Sequence, residues 1–310
     1  MVQVLIARCR FGFNDKVMKY SGMGSSSAQS GFTLIELSIV LVIIGLIIGG
    51  VLVGQDLVRA AAVRATISQI EKYNTAANTF RDKYGYLPGD INGLAANQFG
   101  FTTRGNYAGE GDGNGILEGN TNNTAGGHQG YVVADGEPAM FWVDLSSSVA
   151  GNLIDGSFTI ASPTSMSGSD LSGTPLDGYF PQAKLGRGAY IIAYSLNTVN
   201  YFALQGISLM GGSGNGCRGC IVTGVRNITV REVYDIDKKM DDSYPLTGNV
   251  LAQMLWGGAG PVGTASNSVA VAGGNWSCYD NGGNTANQVV YSIAQNGGSG
   301  PNCALSFKFQ

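Results

Sequence analysis

The sequence predicts an α+β protein in which one long N-terminal helix packs against an antiparallel sheet within a glycine-rich, loop-rich head. Three observations carry that expectation. An uninterrupted apolar run extends from Phe32 to Gly54, an amphipathic pattern continues it to Tyr84, and the rest of the chain alternates strand-like runs with glycine.

The apolar run reads FTLIELSIVLVIIGLIIGGVLVG. As a helix it measures about 34 Å, enough to cross a hydrocarbon core of about 30 Å. A cleaved secretory signal would have a shorter apolar region ending at a small-residue cleavage site, and neither is present. Arg8, Arg10, Lys16 and Lys19 precede the run, so the positive-inside bias keeps residues 1–31 in the cytoplasm and exports everything after Gln55. Gly45, Gly49, Gly50 and Gly54 lie four apart in two pairs. That spacing serves close helix packing or local unwinding, and both readings stand.

From residue 55 onward Val63, Ile67, Ile70, Tyr73, Ala77, Phe80 and Tyr84 recur at three- and four-residue intervals. Such a stripe marks one buried helical face. Gly85 and Pro88 predict its end. Residues 85–310 form the head. Ala189–Leu196 and Val199–Ile207 read as a hairpin turning at Asn197 and Thr198, with Gln288–Ile293 and Ala304–Phe309 expected in the same sheet. Short helices are expected over Pro138–Ser147 and Thr229–Met240.

Composition narrows the function classes. A formal net charge of -3 leaves no broad basic footprint for nucleic acid, and 48 glycines with only 13% charged residues argue against a helical bundle. Catalysis has little support, because His128 is the single histidine and no GxSxG, HExxH or Walker pattern occurs. Gly214-Asn215-Gly216-Cys217-Arg218-Gly219 matches a dinucleotide-type glycine spacing but lacks the strand–helix frame that gives such a loop its use. Cys217, Cys220, Cys278 and Cys303 follow the span and imply two disulfides in an oxidising compartment. The favoured pairing is Cys217 with Cys220 and Cys278 with Cys303, and the crossed connectivities remain open.

One charge interrupts the apolar run. Glu36 near its start would cost about 2.5–3.5 kcal/mol if left unpaired at the bilayer centre. Hydrated at the headgroups, it would instead be a helix-start acid favoured by the macrodipole. Its surroundings decide between these, because Gly31-Phe32-Thr33-Leu34-Ile35-Glu36-Leu37 resembles the processing motif of type IV prepilins and of the pseudopilins of type II secretion. The resemblance implies cleavage by a prepilin peptidase between Gly31 and Phe32, methylation of Phe32, and pairing of Glu36 with the terminal amine of a neighbouring subunit. It implies a structural filament subunit, held by inner-membrane lipid before assembly among other pilin or pseudopilin subunits. The pseudopilin of a type II secretion system is the near alternative. A membrane-anchored surface-binding module that never polymerises is the distant one. Met18-Lys19-Tyr20 offers a second translation start and a shorter leader.

Beyond Pro88 the resemblance thins to short echoes: Leu87-Pro88-Gly89-Asp90, Gly111-Asp112-Gly113-Asn114-Gly115, Phe141-Trp142 and the stretch Ile236 to Asp242. In the second of these Asp112, Asn114 and Glu118, with the Ile116 carbonyl, offer oxygens at alternating positions. That pattern suits calcium, which some secretion pseudopilins bind, although self-satisfied Asx turns are the plainer expectation. Asp235, Asp237, Asp241 and Asp242, interleaved with Lys238 and Lys239, are expected on a solvated helix face.

Overall fold

The computed structural model describes residues 32–105, 107–119, 129, 135–161, 176–210, 213–214, 217–218, 222–256, 260–263, 277–281 and 288–309. The chain divides into two compact units, Met1–Leu52 and Val53–Gln310. Helix α1, Leu34–Tyr84, is continuous. It runs unbroken through its four glycines, where an added Cβ would meet nothing within 4 Å. Among the described residues it is the one helix long and apolar enough to span a membrane. Gly85, at φ +79°, ends it and donates its N–H to the Arg81 carbonyl. Only a residue without a Cβ takes that left-handed closing turn cheaply.

Within the second unit the predicted stripe is the buried face. Val63, Ile70, Tyr73, Ala77, Phe80 and Tyr84 are buried and Ile67 is half-buried. Two polar residues join them. Thr66 bonds back to the Ala62 carbonyl, and Gln69 donates to the Gln182 carbonyl and the Tyr73 hydroxyl while accepting from the Lys184 N–H. Gln69 thereby pairs backbone groups at both ends of the 182–184 segment.

Helix α2, Gly93–Phe99, is capped by the Asn92 side chain. Helix α3, Gly136–Ser146, is buried along most of its length. It carries Phe141 and Trp142 into an aromatic core with Tyr73, Phe202 and Phe309, at ring separations of 4.2–6.4 Å. Helix α4, Val230–Met240, starts in a complete capping box between Thr229 and Glu232.

In chain order the strands are β1 (Ala189–Leu196), β2 (Val199–Met210), β3 (Ser213–Gly214), β4 (Cys217–Arg218), β5 (Val222–Val225), β6 (Val250–Leu251), β7 (Gln253–Trp256), β8 (Gly260–Gly263), β9 (Tyr279–Asp280), β10 (Val290–Tyr291) and β11 (Leu305–Lys308). The main sheet orders β1-β2-β11-β6, with β5 also on β2, and its pairs are antiparallel. The expected hairpin is β1–β2. Asn197 and Thr198 both have positive φ, as a two-residue turn matching the strand twist requires. Thr198, a β-branched residue in that conformation, is held by hydrogen bonds to the Asn197 carbonyl and to Gln129. One placement differs from expectation: the strand-like run at Gln288–Ile293 contributes only β10, which pairs with β9 outside the main sheet. The disulfide explains it. Cys278 lies beside β9 and is bonded to Cys303, so this segment is tied at the sheet's margin while β11 alone enters the sheet.

Candidate functional site

The start of α1 is built by its own sequence. Thr33 precedes the first helical residue, and its N–H and Oγ1 both donate to Glu36 Oε2 at 2.8 Å. Glu36 N–H returns a bond to Thr33 Oγ1 at 3.3 Å. This reciprocal pattern is a capping box with Glu36 as the third helical residue, where an acid also meets the positive end of the helix dipole. Oε1 receives no hydrogen bond among the described residues. Phe32 is 89% exposed and the side chains through Arg59 are exposed as well. Gly31, the residue on the other side of the expected cut, lies outside the described residues, as do Met18 and His128.

In the head, three of the sequence echoes converge. Asp90 accepts from the N–H groups of Gly113, Asn114 and Gly115, and Glu137 accepts from those of Gly111, Asp112 and Glu118. Gly89, at φ +86°, passes so close to α3 that a Cβ would collide with the Glu137 carbonyl. Its N–H bonds Asp144, whose carboxylate also takes a two-pronged bond from the buried Arg104. Carboxylates from Leu87-Pro88-Gly89-Asp90 and from α3 therefore thread the glycine loop, supplying acceptors to amides that turns leave unpaired. Burial pushes Asp90 up to about 7 and Glu137 well above the ordinary carboxylate range; the Asp112 charge adds to the rise of both, and the Asp90 charge to that of Glu137. Burial also raises Asp144, with Arg104 opposing it.

Three of the residues expected to ligate calcium have hydrogen-bond partners of their own. Asp112 and Asn114 form successive Asx turns, Asp112 accepting from the Asn114 N–H and Asn114 from the Ile116 N–H. The Glu118 carboxylate takes a hydrogen bond from Gln129. Asp112 instead has a carboxylate oxygen within 4.8 Å of Asp90 and Glu137. An all-oxygen trio is of the donor type a hard divalent cation takes, yet Asp90 and Glu137 already answer three amides each.

Asp237 departs from its expected place on a solvated face. It is fully buried, accepting from the Tyr291 hydroxyl at 2.6 Å and the Ser243 N–H, and burial raises it to about 6. Asp241 and Asp242 serve the following loop, taking bonds from Asn249, Val250, Tyr244 and Thr247. Their role is to order residues 241–250. Asp235, paired with Arg231 one turn away, and the exposed Asp242 keep the surface placement foreseen for the group.

Of the expected disulfides, Cys278–Cys303 is formed. Cys217 is described as backbone of β4, and Cys220 lies outside the described residues.

An exposed apolar helix of this length is consistent with a membrane-anchored protein. The prokaryotic N-terminal methylation motif matches residues 26–52, so the chain carries the signature of type IV prepilins and pseudopilins, and prepilin peptidase processing follows from it. That match covers fewer than one residue in ten, and the head lies wholly outside it. No curated protein and no solved structure matches the chain significantly.

Proposed function

We propose that this chain is a structural subunit of a type IV pilus or related filament, cut after Gly31, methylated at Phe32 and assembled through Glu36. The observation that carries the reading is the pairing of a methylation motif with an apolar helix whose side chains are exposed from Phe32 to Arg59. Such a surface belongs in lipid or against other copies of itself. The acid distinguishes the two. In lipid alone Glu36 is a liability, whereas beside a neighbour's freshly exposed amine it gains a counter-charge, and its uncommitted Oε1 is available for that contact. The capping box contributes by holding the carboxylate at the helix start, the level a terminal amine reaches. Short filaments of type II secretion fall in the same class and are separated by filament length in the microscope.

Glu36→Ala tests the reading. Removing one partner of a buried charge pair costs about 3–5 kcal/mol, so sheared filaments should fall at least about 100-fold while the membrane-inserted chain accumulates. Normal filament yield from the variant would refute assembly through Glu36.

A further inference from the structure

Buried Glu232 gathers two half-exposed arginines from separate elements. It is the third residue of α4, and its Oε2 is occupied by the Thr229 N–H at 3.0 Å and hydroxyl at 2.7 Å. Its Oε1 faces Arg187 at 3.3 Å and Arg59 of α1 at 3.9 Å. Arg187 sits at φ +60° between Gly186 and Gly188, and its carbonyl is held by Asn227 Nδ2 at 2.8 Å. One carboxylate thus orients two guanidiniums, whose side chains remain 43% and 44% exposed. Glu232 neutralises at most one of them. Asp56, three residues before Arg59, subtracts from the surplus and the exposed Arg64 restores it.

What precedes Arg59 matters as much. Val53, Leu57 and Val58, in the same compact unit, are 71%, 69% and 70% exposed. Apolar helix surface therefore gives way to guanidinium within a single turn, the sequence of environments met at headgroup depth. Arg59 and Arg64 also lie within ten residues of Gly54, on the flank that the positive-inside bias normally depletes of basic residues.

We propose that Arg59 and Arg187, oriented by Glu232, bind the phosphate of an anionic phospholipid headgroup in the exported leaflet while the subunit waits in the membrane. Guanidinium forks suit a phosphodiester's paired oxygens, and the fixed backbone at Arg187 lowers the ordering cost. The proposal rests on the reading of this chain as membrane-anchored, and it requires neither cleavage nor polymerisation.

The test uses the full chain in phosphatidylcholine vesicles containing trace spin-labelled phosphatidylglycerol or spin-labelled phosphatidylcholine, measuring the motionally restricted fraction of each label. A phosphatidylglycerol preference of about five-fold is expected from the net cationic surplus at the site. Arg59→Gln/Arg187→Gln should reduce the preference to near unity, and high salt should do the same to the unaltered chain without any substitution. An unaltered chain with no preference, or one whose preference survives high salt, overturns the proposal. So does a double variant that keeps the preference but loses assembly, because the arginines would then serve a neighbouring subunit. A lipid preference found in a chain that never polymerises would leave this inference standing while sinking the filament reading.

Discussion

The two stretches of α1 obey opposite rules. From Leu34 to Val58 its large apolar side chains are exposed, whereas from Val63 to Tyr84 a narrow stripe is buried beneath α3 and the sheet. Backbone geometry is the same in both. The difference lies in the neighbours: the second stretch has its partners in the same chain, and the first must find them in lipid or in other copies. On the proposed function, stability of the head and competence for assembly are separable properties of one helix.

Core truncation should show the largest separation. Phe80→Ala, at a fully buried site touching Tyr84 and Phe101, should cost the head about 3–5 kcal/mol, whereas Ile48→Ala should leave its thermal midpoint unchanged. Thermal denaturation in detergent followed by near-ultraviolet circular dichroism checks both. An equal loss in the two variants would break the distinction.

Acid titration sharpens it next. Asp90 near 7, Asp237 near 6 and the raised Glu137 all bind protons in the folded head at pH values where the unfolded chain, with Asp near 3.8 and Glu near 4.5, has released them. Stability from these groups is thus present at low pH and lost as pH rises from about 4 through about 7. The head should melt higher at pH 5 than at pH 8, and Asp90→Asn should flatten that slope. A melting temperature that rises over this interval would contradict the assignment of burial as the dominant cause.

The smallest effect expected is at the caps. Thr229→Ala removes the hydroxyl from a buried capping box and should destabilise the head by about 1 kcal/mol. Thr33→Ala removes the equivalent hydroxyl at the start of α1 and should leave head stability untouched. Parallel urea titrations of the two variants compare them.

What the sequence made legible follows the range of the interactions. The stripe from Val63 to Tyr84, the Asn197-Thr198 hairpin and the Thr229 start of α4 rest on residues within a few positions of each other, and periodicity or a cap reports them directly. Helix α2 is only seven residues long and its Asn92 cap has no apolar repeat behind it, so nothing distinguished it from loop. The burial of the acids is not legible for a different reason. Asp90 and Glu137 meet across 47 positions of sequence, and Asp237 meets Tyr291 across 54. The short echoes around Gly89, Gly113 and Trp142 were signals of that meeting, but each alone says only that a turn or a core residue is present. The run at Gln288–Ile293 has strand character, and the tie between Cys278 and Cys303 that sets its place is a long-range fact.

Processing at the head of α1 supports every step of the assembly account, since without it no terminal amine stands near Glu36. Intact-mass and amino-terminal analysis of protein sheared from cells measures it directly. The account predicts a chain that begins with N-methylated Phe32, and filaments whose chains still carry residues ahead of Phe32 would contradict it.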